Sequence, residues 1–505
     1  MPASLRQLAK NCLRAMVTSA TPYESWSKED LIARLTQLEP PRAAITPPPQ
    51  NPRRLWRTFD FSSYPRRKIA LKFCYSGWVY NGLAIQADTT PLPTVEGVLF
   101  EALAKARLID PDAGLEGCGW ERCGRTDRGV SAGGQVISLW VRSALDSASI
   151  ASKPSIPSPK DPTPPPEEVE EAADTEDAFP GLDGDFGSLD DMDFPLPVQT
   201  TSKSEHSYAL ILNRILPPTI RILAWSPVAP EFSSRFACKS RHYKYFFTSD
   251  SLDIPRMVEA AALLVGGHDF RNFCKLDASK QLTTYRRRII SADINPVAGS
   301  ATGMHVLDLK GSAFLYHQVR HIMAVLFMVG AGLEAPSIVT ALLNVEPGAE
   351  GDPSLPVVDT RPEYQMADAL PLMLYECHYA PGDVEWQTEE EADPDVLGLY
   401  HQMHALHARA DMYTTLNREF LNAAAVHHAP QPVHLPLTAT GFVPDGRTPM
   451  NLPLGGAEFR RIAKYVPLLE RNRGAHFEVV NERWRLGKGA RREERRKAAE
   501  DDGDE

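Results

Sequence analysis

The residues best suited to chemistry lie in one short run, Arg122-Cys-Gly-Arg-Thr-Asp-Arg-Gly-Val-Ser131. Gly124 and Gly129 bracket Arg125, Thr126 and Asp127 just before a strand-like segment. Glycine on both sides lets the backbone turn sharply and pass close to a ligand. Such a turn would project a carboxylate among Arg122, Arg125 and Arg128, whose charge keeps it ionised for work as a nucleophile or base. The same spacing equally suits an ordinary Asp-Gly loop in which the Asp caps its own backbone. The cysteines offer nothing comparable. All seven (Cys12, Cys74, Cys118, Cys123, Cys238, Cys274, Cys377) are scattered, odd in number and without a CxxC pair. That spacing argues against a disulfide framework and a zinc site, and for a reducing compartment. There is no P-loop, no strand-led GxGxxG and no clustered His/Cys set, so no metal, nucleotide or redox cofactor is implied.

The elements that must position this run follow from periodicity. Residues 69–73 and 135–141 read as strands on either side of an amphipathic helix over 94–108, with Val95, Val98, Leu99, Ala102 and Ala106 on one stripe. Further on, 241–247 and 306–310 read as strands, and 255–265 and 314–333 as helices. Strands and helices alternate without a regular βαβ rhythm, which predicts an α+β architecture.

The chain has 505 residues, 43% apolar and 24% charged, enough for a large core and about three domains. Its longest apolar run, 322–333, falls short of the ~20 residues that a bilayer requires. The 43 prolines cluster, which marks linkers. The net charge of −11 becomes +9 once the 13 acids of 161–195 and the seven of 383–395 are set aside. The foldable part is therefore basic, and a polyanion is a plausible partner.

The expected organisation is a basic segment, short helix and Pro-rich linker over 1–52, a lobe carrying Asp127 over 53–146 and a disordered Pro-rich, acidic insertion over 147–203. A second lobe over 204–382, an extension over 383–482 and a charged tail over 483–505 follow. The first twenty residues suit either a disordered basic end or a mitochondrial presequence. Within the insertion, Asp183-Gly-Asp-Phe-Gly-Ser-Leu-Asp190 lacks the closing chelating Glu of a calcium loop. Beyond 382 the chain is polar, His-rich and irregular until about 459.

Taken together, several motifs in order resemble the TruA-type tRNA pseudouridine synthases. Cys-Gly-Arg-Thr-Asp-Arg-Gly-Val-Ser-Ala132 is similar to that family's active-site signature, and Tyr75-Ser-Gly-Trp-Val-Tyr-Asn-Gly-Leu-Ala-Ile-Gln86 to its opening strand and loop. Leu212-Asn-Arg-Ile-Leu-Pro217 and Phe232-Ser-Ser-Arg-Phe-Ala-Cys-Lys-Ser-Arg-His-Tyr-Lys-Tyr245 resemble the second motif, and Ala313-Phe-Leu-Tyr-His-Gln-Val-Arg-His-Ile-Met323 the third. The finer match is to the eukaryotic branch acting at tRNA positions 38 and 39, on His268-Asp-Phe-Arg-Asn-Phe-Cys-Lys275, Tyr316-His-Gln-Val-Arg320 and Val479-Val-Asn-Glu-Arg483.

The resemblance implies a two-lobed fold with a central, mostly antiparallel sheet flanked by helices and a cleft between the lobes. It implies isomerisation of uridine to pseudouridine in the anticodon stem-loop. Asp127 matches the catalytic aspartate, and Arg125 the arginine that fills the space left by the flipped base. Tyr243 matches the tyrosine stacked on that base, although Tyr245 shares its strand face. Arg320 matches the arginine paired with the carboxylate, while His317 reads as a packed residue three positions earlier on the same helix face. Flipping costs a few kcal/mol, and stacking returns ~1–3 kcal/mol. Phosphate contacts are expected from 53–68 and 483–497. The expected partner is tRNA with no membrane, a homodimer is favoured, and the compartment is the nucleus, the cytoplasm or both, with a mitochondrial pool admitted. The alternatives are a related synthase acting at other uridines and a tRNA-binding factor without turnover.

Overall fold

The computed structural model describes residues 59–146 except 87, 204–300, 303–388, 398–429, 436–438, 441–442 and 449–491. The N-terminal basic segment, its helix and linker, the 147–203 insertion and the end of the charged tail lie outside the described residues.

Short apolar runs in the sequence become neighbouring strands of one sheet. Strand β1 (Arg66–Tyr75) pairs antiparallel with β3 (Ser131–Arg142) on one side and β4 (Ile220–Pro227) on the other. Ile69, Ala70, Leu71 and Phe73 of β1 are fully buried, as befits a strand in the sheet interior. Strands β5 (Ser240–Thr248), β6 (Gly266–Asp269), β7 (Arg286–Pro296), β8 (Met304–Gly311) and β9 (Leu372–His378) complete the order β4-β1-β3-β9-β5-β8-β7-β6. A two-residue strand, β2 (Glu121–Arg122), hangs on β3. Every pairing in this sheet is antiparallel except β3 with β9, which run parallel at Ser131↔Met373 and Ala132↔Leu374.

That parallel joint is where two hydrophobic clusters meet. One gathers β1, β3 and β4 under helices α1 (Val95–Lys105) and α2 (Tyr208–Asn213). The other gathers β5, β7 and β8 under α3 (Ile254–Ala262) and α4 (Gln318–Gly330). Tyr243 packs against both. Of the expected stripe, Val95, Leu99 and Ala102 are buried and Val98 and Ala106 are half-buried against the same cluster, and Thr94 caps α1 by accepting from Gly97 N.

Helix α4 begins four residues later than the pattern predicts, because His317 adopts φ +60° and stops the turn there. From Gln318 to Gly330 every residue except Arg320 is buried, which accounts for the long apolar run without a membrane. No helix among the described residues is long and apolar enough to cross one.

The region after 382 is not simply irregular. Leu399–His427 forms a helix, α5, rich in Ala, Leu and Met; none of its residues is buried. Next, β10 (Met450–Gly455) and β11 (Glu458–Ile462) make a hairpin. The buried hydroxyl of Tyr245 donates to Asp368 O (3.0 Å) and Leu454 O (3.3 Å), and Leu452 and Leu468 join the α4 cluster. Helix α6 (Phe477–Trp484) docks through Asn481, whose Nδ2 donates to Leu282 O at 3.1 Å. From Met450 onward the extension is thus part of the core, whereas α5 is not. At the base of the 147–203 segment, Glu205 accepts from Arg67 (2.8 Å), Ser143 Oγ (2.7 Å) and Ala144 N (2.9 Å).

Candidate active site

The loop from Arg122 to Ser131 is fixed mainly by backbone. Cys123 N donates to Val136 O at 2.8 Å, Gln135 Nε2 to Gly124 O at 3.0 Å and Val130 N to Asp127 O at 3.1 Å. From the β1 side, Tyr75 and Thr126 share a hydroxyl bond of 2.6 Å, Leu83 N donates to Thr126 O at 3.3 Å, and Gly77 N donates to Ser131 Oγ at 3.0 Å. A Cβ on Gly77 would lie 2.1 Å from Val130 O, so only glycine lets the two segments meet. Of the two bracketing glycines, Gly129 has φ +85° and needs its freedom. Gly124 has no positive φ, and a Cβ there would face open space.

The turn presents Asp127 to the other hydrophobic cluster, not to its neighbouring arginines. Among the described residues its ion-pair and histidine partners are Arg320 Nη1 at 3.7 Å and His317 Nε2 at 3.2 Å, both meeting Oδ2. Arg122 is turned away: its Nε binds Glu96 Oε1 at 2.6 Å. Arg125 and Arg128 are exposed. The expected trio of arginines around the carboxylate is therefore replaced by one arginine and one histidine from the start of α4, because the tight turn throws neighbouring side chains outward.

Arg320 is held at both ends, with Nε donating to Ala367 O at 2.8 Å and its own carbonyl accepting from Ala367 N at 3.1 Å. Its side chain is 13% exposed, against 26% for that of Asp127, so the pair is only partly screened by water. His317 does not share a helix face with Arg320; it is the left-handed residue ahead of α4. Its ring lies 3.7 Å from that of Tyr316, and Nδ1 is buried without a hydrogen-bond partner. His321, one turn into α4, behaves differently. Burial, reinforced by Arg361, pushes its imidazole down to about 2 and keeps it neutral within the packing.

The two tyrosines separate cleanly. Tyr245 is fully buried and hydrogen-bonded in the core. Tyr243 reaches the cleft, edge-on to Phe314 with ring centroids 4.9 Å apart. Burial pushes its phenol far above the ordinary range, so it stays protonated.

Asp127, Arg125, Tyr243 and Arg320 all line one cleft of ≈ 1620 Å³. Small-molecule sites run to about 300–1,000 Å³, so this one suits a piece of a macromolecule. Arg128, Arg235, Lys275, Lys280 and Arg287 add positive charge to the walls. Phe236, 78% exposed and also in the lining, lies under the Arg235 guanidinium at 5.3 Å. Positive walls with exposed aromatics are what a splayed nucleic-acid strand requires. Of the expected phosphate-binding stretch, Arg67 is instead tied to Glu205 at 2.8 Å, and Arg53 to Arg57 lie outside the described residues.

Sequence reasoning missed Glu96. It is completely buried on α1 and accepts from Trp120 Nε1 (2.9 Å) and Ile85 N (3.0 Å) besides Arg122. Burial pushes its carboxyl up against the pull of Arg122. One carboxylate thus fastens the 81–86 loop to the approach of the Asp127 turn. A lone Glu in the first turn of a helix carries no sequence signal for that task.

A basic, aromatic cleft with an ion-paired carboxylate at its floor is the site of an enzyme acting on RNA. Comparison with known proteins agrees. A family model described as tRNA pseudouridine synthase matches residues 260–380, the stretch containing His317 and Arg320. The tRNA pseudouridine(38/39) synthase of Saccharomyces cerevisiae is 37% identical over 92% of this chain and 91% of its own length. The human protein of the same name is 39% identical over 70% of this chain, and the match spans 63% of its length. A tRNA pseudouridine synthase A from Methanothrix thermoacetophila is 31% identical over 64% of this chain and 86% of its own length. The chain belongs to the tRNA pseudouridine synthase family.

Proposed function

We propose that this chain isomerises uridine to pseudouridine at positions 38 and 39 of the tRNA anticodon arm. The observation carrying this reading is the convergence of Asp127 with Arg320 and His317 on the floor of a basic cleft too large for a free nucleoside. The relatives named for positions 38 and 39 supply the substrate position.

The reaction breaks the N1–C1′ bond, forms C5–C1′, removes the proton on C5 and places one on N1. No atom is gained, so a rigid pocket with one ionised carboxylate and a route for one proton suffices. Arg320, locked by Ala367, orients Asp127 by pairing with Oδ2. The target nucleotide leaves its stack to reach that carboxylate, at a cost of a few kcal/mol. Tyr243 offers the flat surface that receives the flipped base, and exposed Arg125 occupies the space it leaves. The walls meet phosphates.

Tritium release from tRNA carrying 5-tritiated uridine at position 38 or 39 tests this. Wild type should release tritium, whereas Asp127→Ala should still bind tRNA and lose release by about 10⁴-fold or more. Equal release from both would remove Asp127 from the chemistry. Bound tRNA without release by wild type would end the enzymatic reading at these positions.

A further inference from the structure

Three of the six cysteines among the described residues converge beneath the Asp127 turn. Cys123, Cys238 and Cys377 are all buried, and their Sγ atoms lie within 4.8 Å of one another. They arrive from three separate segments: the loop carrying Asp127, the stretch leading into β5, and β9. Zinc–sulfur bonds of ~2.3 Å set tetrahedral thiolates about 3.8 Å apart, so only a small contraction would bring these three around one ion.

Charge points the same way. Arg241 lies beside the cluster, its Nη2 donating to Cys123 O (3.1 Å) and Arg235 O (3.0 Å) and its Nη1 to Ser312 O (2.9 Å). Among the described residues these carbonyls are its hydrogen-bond partners, and no carboxylate pairs with it. A guanidinium so placed gains from a nearby anion. Three thiolates around a divalent ion carry one net negative charge, which Arg241 balances.

We propose that Cys123, Cys238 and Cys377 form a three-thiolate site for a thiophilic metal ion, zinc first and Cu(I) second. Binding expels the three thiol protons to solvent and makes three metal–sulfur bonds, with no change of oxidation state. Water takes the fourth position on zinc; Cu(I) needs none. The ion would tie the turn carrying Asp127 to β9 and to the segment entering β5, three parts of the chain that backbone pairing joins only in part. Chain separation explains why cysteine spacing gave no sign of it: more than 250 residues divide Cys123 from Cys377.

The test uses the full chain, purified reduced and without metal-affinity chromatography. Elemental analysis should find about one zinc or copper per chain, and the metal found separates the two ions. After chelation, cobalt(II) added without oxygen should give the intense thiolate-to-cobalt band in the near ultraviolet. Cys123→Ser, Cys238→Ser and Cys377→Ser should each lose the ion, while Cys74→Ser should keep it. If the cluster variants do not fold, the cobalt spectrum of wild type still decides. Reduced wild type that takes up none of the three metals would overturn the site. So would uptake that survives in all three variants, or a metal-free protein with a disulfide among these cysteines.

Discussion

The two sides of the cleft hold their functional groups by opposite means. On the β1–β3 side, the Asp127 turn is fixed by main-chain bonds and by close approach, with Gly77 against Val130 and Thr126 against Tyr75. On the α4 side, Arg320 is placed by its charge and by one carbonyl, and His317 by its own left-handed backbone and its contact with Asp127. One side supplies position and the other supplies electrostatics. Substitutions should therefore fail differently: as folding defects on the first side, as kinetic defects on the second.

The largest effect expected from that contrast is at Gly77. Gly77→Ala puts a methyl into the Val130 carbonyl, and stability should fall by about 3 kcal/mol, read from denaturant midpoints, with activity lost in proportion to unfolding. A well-folded Gly77→Ala with ordinary activity would erase the distinction between the two sides. Across the cleft, Arg320→Ala should leave the melting temperature almost unchanged and lower turnover by about 10²-fold, since a partly buried charge partner of Asp127 is removed. His317→Asn keeps a residue tolerant of positive φ and should cost about tenfold in turnover. His317→Val should add a stability defect, because β-branched residues resist that backbone conformation.

The smallest effect is predicted far from the cleft. Burial pushes the Glu205 carboxyl up, yet bonds from Ala144 N, Arg67, His206 N and Ser143 outweigh it and hold the group at about 2, below its ordinary 4.5. A depressed carboxylate stabilises above its unfolded value and loses that contribution as pH falls towards its folded one. Glu205→Gln should therefore melt a few degrees below wild type at pH 7, with the gap closing between pH 5 and pH 2 and turnover at pH 7 unaffected. A gap that widens in acid would contradict the assignment.

Much of this contrast was legible in the sequence, though unevenly. Strands 69–73, 135–141, 241–247 and 306–310 are legible because short apolar and aromatic runs report burial directly, and only their ends extend further. Asp127, Arg125, Tyr243 and Arg320 stand out through motif order, and the fold brings all four to one cleft. Long-range pairing stayed hidden. Nothing in a linear pattern says that Arg122 turns to Glu96, that His317 leaves the helix to reach Asp127, or that three distant cysteines meet. The helix Leu399–His427 was missed for another reason: its histidines and other exposed polar side chains mask a run of good helix formers with no buried face.

The hydroxyl of Tyr245 has a consequence for biosynthesis. One of its acceptors, Leu454 O, lies 209 residues further along the chain. At about 5–20 residues per second, the ribosome delivers that acceptor some 10–40 s after the tyrosine itself. For that interval the nascent β5 cluster lacks the hairpin that closes over it, and Leu452 and Leu468 have not yet been made. The last turn of assembly therefore waits until residues 450–468 have been made, and a chain released before Gly455 would leave a raw apolar surface for chaperones to find.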